Sequence, residues 1–126
     1  MKTEIDEHKE SYQDWGLDNL VYRDGLLTLT LVTYDDDKDP IRFQIIFTSA
    51  VLFKVYDESS HFQDFHQFRD DGIVGSYENS SFLEYAINQT NVMSLNHNKL
   101  CHWSVMTTNE FVHVLSSEEP RIYNVT

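Results

Sequence analysis

The chain has 126 residues and a formal net charge of −12 at pH 7, from 21 Asp plus Glu against 9 Lys plus Arg. This length suits one domain with one core, and the aromatic content of 13 % excludes a disordered chain. The negative charge repels phosphate groups and anionic lipid headgroups and attracts basic surfaces. We therefore expect a basic protein as the partner, with no direct binding of nucleic acid or membrane.

The N-terminal segment, residues 1–14, is polar and carries no apolar signal core, and no run in the chain approaches the ~20 apolar residues of a membrane span. Cys101 is the only cysteine, which excludes an intrachain disulfide. These features predict a cytoplasmic protein. We interpret residues 1–126 as a single domain that begins with a loose arm or a short helix over residues 1–14.

Apolar and polar residues alternate with a period of two from Leu20 onward, which is typical of half-buried strands. Residues 20–23 and 27–31 flank Asp24-Gly25, a dipeptide that favours a tight hairpin turn. Two further strands are predicted over residues 41–47 and 51–56. Because the connections are short, we expect these strands to form an antiparallel meander.

The second half of the sequence predicts one or two helices and further strands. Phe62, Phe65 and Phe68 recur at intervals of three, as on one face of a short helix. Ser80 or Ser81 caps a second helix, with Glu84 completing a capping box with Ser81. Strands are predicted over residues 100–106 and 111–115, with a short edge strand over 121–125.

These elements predict an α+β fold, mainly an antiparallel β-sheet of about six strands with one or two short helices packed on it. A closed β-barrel is the structural alternative.

The sequence contains no signature of catalysis. It has no Gly-X-Ser-X-Gly elbow, and its 4 glycines form no phosphate-binding loop. We therefore predict that the protein is not an enzyme, that it has no catalytic residue and that it carries no cofactor.

Metal binding is not predicted either. Asp35, Asp37 and Asp39 match the start of a calcium loop, but Pro40 and Ile46 stand where that loop needs Gly and Glu. The six histidines have no zinc-ligand spacing. His102 and His113 fall on the last two long strands, where they could be cross-strand neighbours.

Carboxylates concentrate in three clusters outside the predicted strands. Each cluster is either a solvated turn or a charged surface offered to a basic partner, since charges at an interface steer association. The candidate partner-binding residues are Asp35, Asp36, Asp37, Asp39, Asp70, Asp71, Glu118 and Glu119.

Three stretches carry a resemblance to a known class of proteins: residues 20–29, residues 51–59, and residues 102–115 followed by Glu118-Glu119-Pro120. Together their layout resembles small immunity proteins encoded beside bacterial polymorphic and contact-dependent toxins. The resemblance implies stoichiometric binding and neutralisation of one cognate toxin. Many such immunity proteins are acidic because their toxins are basic nucleases.

A second class of function remains open, a small enzyme or ligand-binding domain with a pocket inside a curved β-sheet. A deep cavity lined by a histidine and a carboxylate favours this class. A flat or convex acidic face without a pocket favours the protein-binding inhibitor.

Overall fold

The computed structural model describes residues 1–36, 38–60, 67–90 and 99–126. Within these ranges the chain forms two α-helices and eight β-strands. Their bounds are α1 Glu4–His8, β1 Gly16–Arg23, β2 Leu26–Thr33, β3 Ile41–Phe47, β4 Ala50–Asp57, β5 Val74–Ser76, α2 Ser81–Gln89, β6 Cys101–Met106, β7 Glu110–Ser116 and β8 Arg121–Asn124.

The strands form two four-stranded antiparallel sheets, with the orders β1-β2-β3-β8 and β4-β7-β6-β5. The predicted α+β, mainly antiparallel fold is confirmed. The described strands are more numerous than predicted and form two open sheets instead of one sheet or a closed barrel. The additional strand, β5, has only three residues and therefore leaves little alternation in the sequence.

The predicted meander ends after three strands. β1, β2 and β3 pair in sequence order, but β4 pairs with β7. Alternation makes one face of β3 apolar, with Phe43, Ile45 and Phe47 buried, and a face of this kind needs a second layer to cover it. The chain enters that layer at Ala50, whose N–H donates to the Gly25 carbonyl at 3.0 Å.

Apolar side chains from both sheets meet in one core. Leu29 and Ile45 from the first sheet and Val105 and Val112 from the second are fully buried members of it. Burying a side chain such as Ile45 is worth roughly 1.5–3 kcal/mol. The core therefore binds the two sheets to each other.

The β1–β2 hairpin turns at Asp24-Gly25, as predicted. Both residues have positive φ angles, 51° and 82°, which a tight hairpin of type I′ requires. Glycine tolerates this backbone at no steric cost, and aspartate is among the residues that tolerate it best.

The N-terminal segment contains a short helix and not a loose arm. Thr3 caps α1 by accepting a hydrogen bond from the Ile5 N–H, while Asp6 accepts one from the Thr3 N–H at 2.8 Å. Ile5 is fully buried in the core, and the Asp6 carboxylate also accepts from the Ile73 N–H at 2.9 Å. The helix is thus fixed at both its cap and its apolar face.

α2 lies on the outer face of the second sheet, where Ala86 packs with Leu100 and Leu115. Its N-cap is Ser80, whose Oγ accepts from the Leu83 N–H at 2.9 Å. The predicted capping box of Ser81 with Glu84 is wrong, because Ser81 is already the first helical residue.

The predicted helix through Phe62, Phe65 and Phe68 falls mostly on residues 61–66, which lie outside the described residues. Phe68 itself lies in a turn with a φ angle of 62°. No helix in the described ranges has the length and apolarity needed to cross a membrane.

Candidate functional site

The loop between β2 and β3 carries the first acidic cluster. The Asp35 carboxylate lies 2.8 Å from Lys9 Nζ, just after α1. The hydrogen bond from Lys9 lowers the pKa of the Asp35 carboxyl below its usual value. Asp36 and Asp39 are exposed, and Asp37 lies outside the described residues.

The second cluster, Asp70 and Asp71, lies beside the first residue of the chain. The Asp70 carboxylate and the Asp71 carbonyl both accept hydrogen bonds from the Met1 ammonium group. A cavity of about 290 Å³ opens next to them. We call it the acidic cavity; it is lined by Glu10, Tyr12, Arg69, Asp70, Asp71, Gly72, Ile73 and Met106.

The third cluster, Glu118 and Glu119, follows β7 and is exposed. Glu118 accepts a hydrogen bond from the Thr48 hydroxyl at 2.5 Å. This bond ties the cluster to the connection between β3 and β4.

The three clusters do not converge on one end of the molecule. Asp35 lies just before β3 and the contact between Thr48 and Glu118 just after it, so the seven residues of that strand separate them, about 20 Å at ~3.3 Å per residue. The N-terminal segment links the other two, since Met1 contacts Asp70 and Lys9 contacts Asp35.

Arg69 lies in the wall of the acidic cavity. Its guanidinium group makes five hydrogen bonds: Nε donates to Ser104 Oγ at 2.6 Å, and the terminal nitrogens donate to the carbonyls of Asp70, Gly72, Ile73 and Ser104. Burial lowers the pKa of Arg69. Since these bonds use all the donors of the guanidinium, Arg69 holds the turn in place and is not offered to a ligand.

A second polar network lies under the start of α2. His102 Nδ1 is 2.6 Å from Ser80 Oγ, and His102 Nε2 is 2.8 Å from His113 Nδ1. The Tyr77 ring stacks on His102 at 4.0 Å, with Phe82 edge-on at 5.1 Å. Both ring nitrogens of His102 are therefore engaged inside a mostly aromatic environment.

This network has the connectivity of a nucleophile, a base and an orienting group. Burial, and secondarily the charge of Arg69, lowers the pKa of His102 to about 3. A general base works best with a pKa near the operating pH. His102 is therefore neutral and a weak base at neutral pH, and Ser80 already accepts the capping hydrogen bond from Leu83.

A smaller cavity, of about 210 Å³, opens above this network. We call it the aromatic cavity; Phe68 and Tyr77 line it together with Glu84, Asn79 and His102. In the sequence, Tyr77 precedes Ser80, the N-cap of α2, and Glu84 lies in the first turn of that helix. Phe68 is 59 % exposed and has a φ angle that bulky residues rarely adopt.

The described residues offer no metal centre, since no three of their His, Cys, Asp or Glu side chains are placed to share an ion. His61, His66 and His97 lie outside those residues. His102 and His113 are neighbours across the β6–β7 ladder, as the sequence suggested.

Sequence reasoning gave no role to Arg69 or to the His102 network. A signal was present for the network, because His113 interrupts an otherwise apolar strand, and a polar residue in such a position usually needs a buried partner. Arg69 had no comparable signal, since it sits between Phe68 and two aspartates in a stretch without clear periodicity.

Comparisons with protein-family models, with curated proteins and with solved structures found no match to this chain.

Proposed function

We propose that this protein is an acidic inhibitor that binds another protein, an immunity protein that neutralises a cognate bacterial toxin by stoichiometric binding. The proposed toxin is a basic protein, such as a nuclease whose substrate-binding groove is lined with Lys and Arg. Occupying that groove would exclude the nucleic acid.

The distribution of charge supports this proposal. Several of the few basic side chains are already engaged: Lys9 pairs with Asp35, Arg42 pairs with Asp18, and Arg69 is held by backbone carbonyls. Most Asp and Glu residues in the described ranges, in contrast, are exposed. The net charge of −12 is thus presented to the surroundings, where it accelerates association with a basic surface.

The acidic cavity is the observation that carries the proposal. Glu10, Asp70 and Asp71 line it beside the apolar residues Ile73 and Met106. Arg69 lines it too, but its guanidinium donors are bonded to Ser104 and to backbone carbonyls. Because the Asp70 carboxylate pairs with the Met1 ammonium group, we assign the contact with the partner to Glu10 and Asp71. Such a lining suits the long side chain of a Lys or Arg, whose stem is apolar and whose end is charged. Asp70 and Asp71 belong to the predicted partner-binding residues.

Co-expression with the toxin encoded beside this gene tests the proposal. Wild-type protein should restore growth, and the Glu10→Gln/Asp71→Asn variant should protect less well. The matched control is Glu58→Gln/Glu78→Gln, which also removes two exposed negative charges but changes residues that neither line the acidic cavity nor belong to the predicted partner-binding clusters. Equal protection by both variants, or the absence of an adjacent toxin gene, would contradict the proposal.

An enzyme is the second candidate, favoured by the 2.6 Å separation of Ser80 and His102 and by the presence of Glu84 in the same cavity. The aromatic cavity is smaller than the roughly 300–1,000 Å³ of most ligand pockets, and His102 is a weak base. A fluorophosphonate probe, which labels activated serines, tests this candidate. Labelling that disappears in the Ser80→Ala variant would establish the enzyme in place of the inhibitor.

A further inference from the structure

We propose that the aromatic cavity is a second anchoring site for the partner, which receives one cationic side chain, a Lys or an Arg, and that Phe68 is its apolar anchor. The partner's identity rests on the proposed function. The site itself can be tested with a small cation and does not depend on a toxin.

The charge of the aromatic cavity favours a positively charged ligand. Among the described residues that line it, Glu84 is the only one with a formal charge, and His102 is neutral with both ring nitrogens engaged. No ion pair joins the Glu84 carboxylate to any residue in the described part of the chain. A basic side chain would supply the missing counter-charge.

The N-terminus of α2 also faces this region, and helix N-termini attract anions. Its dipole is equivalent to roughly half a positive charge, whereas Glu84 carries a full negative charge in the first turn of the same helix. The nearby Ser80 Oγ and carbonyl already bond the N–H groups of Leu83 and Glu84. An anion would therefore meet the carboxylate, and the balance favours a cation.

The size of the aromatic cavity favours a single side chain over a small-molecule ligand. A volume of about 210 Å³ is below that of most small-molecule pockets. The rings of Phe68 and Tyr77 can cover the apolar stem of a Lys or Arg, and aromatic faces attract cations. Asn79 and Gln67 add amide oxygens that can accept hydrogen bonds.

Phe68 is held in an exposed and strained position beside the cavity. The Phe68 carbonyl accepts a hydrogen bond from the Glu78 N–H at 2.9 Å. The backbone N–H of Asp70 donates to the Ser76 carbonyl at 2.9 Å. Arg69 fixes the same turn from inside. An exposed aromatic side chain on a hydrogen-bonded turn can anchor a protein interface, and backbone strain of this kind concentrates at functional sites.

N-acetyl-argininamide is the probe, and N-acetyl-citrullinamide, which has the same shape without the charge, is the control ligand. Titration is followed by ¹⁵N–¹H NMR of the full chain. We expect saturable shifts at the amides of Phe68 and residues 79–84, with a dissociation constant on the order of a millimolar, and no comparable shifts with the citrulline compound.

Three variants make the test specific. Glu84→Gln and Phe68→Gly should each weaken argininamide binding at least threefold. Glu78→Gln, which removes the same charge from a neighbouring residue that does not line the cavity, should leave it unchanged. Shifts spread evenly over the acidic surface, or equal binding by the Glu84 and Glu78 variants, would overturn the inference.

The proposed function fails on a different result. If wild-type protein does not protect against the adjacent toxin, the inhibitor proposal fails while local argininamide binding still stands. If wild-type protein protects and argininamide gives no saturable shifts at Phe68 and residues 79–84, only the aromatic cavity loses its assigned role.

Discussion

The imidazole Nε2 of His102 lies 2.8 Å from Nδ1 of His113. The two residues are diagonal neighbours, because His102 is directly opposite Leu115 and His113 is opposite Ser104. Both rings are buried, with exposed fractions of 3 % and 2 %. One ring nitrogen must donate and the other must accept, so the pair cannot hold two positive charges.

The first prediction is a loss of stability in mild acid. The pKa of His102 is about 3 in the folded protein, against 6.5 for an ordinary histidine, so the unfolded chain binds the proton more tightly. The contribution of neutral His102 to the free energy of unfolding is therefore fully present well above pH 6.5 and decreases as the pH falls towards 3. At about 1.4 kcal/mol per pKa unit, the free energy of unfolding should fall by about 2 kcal/mol between pH 6.5 and 5.

Urea unfolding at pH 7, 6 and 5 measures this effect. The control is His102→Gln, which does not titrate in this range and should show a smaller decrease, even if it is less stable at pH 7. The depressed pKa of Asp35 acts below its ordinary value of 3.8 and does not contribute to this window. Identical pH dependence in the two proteins would show that His102 is not responsible.

The second prediction concerns the backbone strain at Phe68. Glycine adopts a φ angle of 62° without the penalty of roughly 1–2 kcal/mol that other residues incur in the left-handed region. We expect Phe68→Gly to be more stable than Phe68→Ala by about 1 kcal/mol. Both variants lack the ring, so thermal melts of the pair isolate the effect of the backbone. A less stable glycine variant would mean that residue 68 is not strained in solution.

The third prediction concerns the close approach of β5 to Arg69. A Cβ atom at Gly75 would lie 2.6 Å from Arg69 Cζ, too close unless the guanidinium moves away from its carbonyl partners. We expect Gly75→Ala to lower the free energy of unfolding by about 2–3 kcal/mol, because buried polar groups would lose their hydrogen bonds.

Gly16→Ala in β1 is the matched control. Its added Cβ would lie 3.7 Å from Val32 Cγ1, an ordinary contact. Gly16 is not among the glycines with a positive φ angle, so alanine can adopt its backbone and reduces the entropy of the unfolded chain. This substitution should therefore leave stability unchanged or raise it slightly. If chemical denaturation gives equal losses for the two variants, the packing of Gly75 against Arg69 is not what makes that site sensitive.

The fourth prediction concerns the rate of association with the toxin. If the net charge of −12 steers encounter with a basic protein, the association rate constant should fall steeply as salt is raised, while dissociation changes less. Stopped-flow measurements from about 0.02 to 0.5 M NaCl cover the range from weak to strong screening. A flat dependence would mean that the charge serves solubility alone.

The sequence by itself determined the elements with strong periodicity. Alternation in residues 27–31 and 41–47 located two strands, because side-chain burial on one face of a sheet leaves a period of two. A mostly apolar run located the strand over residues 111–115, and Asp24-Gly25 located the hairpin turn. The same local reasoning identified a Ser80-Ser81 cap for α2, although it placed the capping box at the wrong serine.

Only the tertiary structure decided how distant segments combine. No local pattern predicts that β4 pairs with β7, that Asp35 forms an ion pair with Lys9, or that Arg69 donates a hydrogen bond to Ser104, thirty-five residues away. These contacts depend on which buried groups need a partner once the two sheets have closed over one core. For the same reason, the two cavities that carry the proposals became visible only when residues far apart in the chain were brought together.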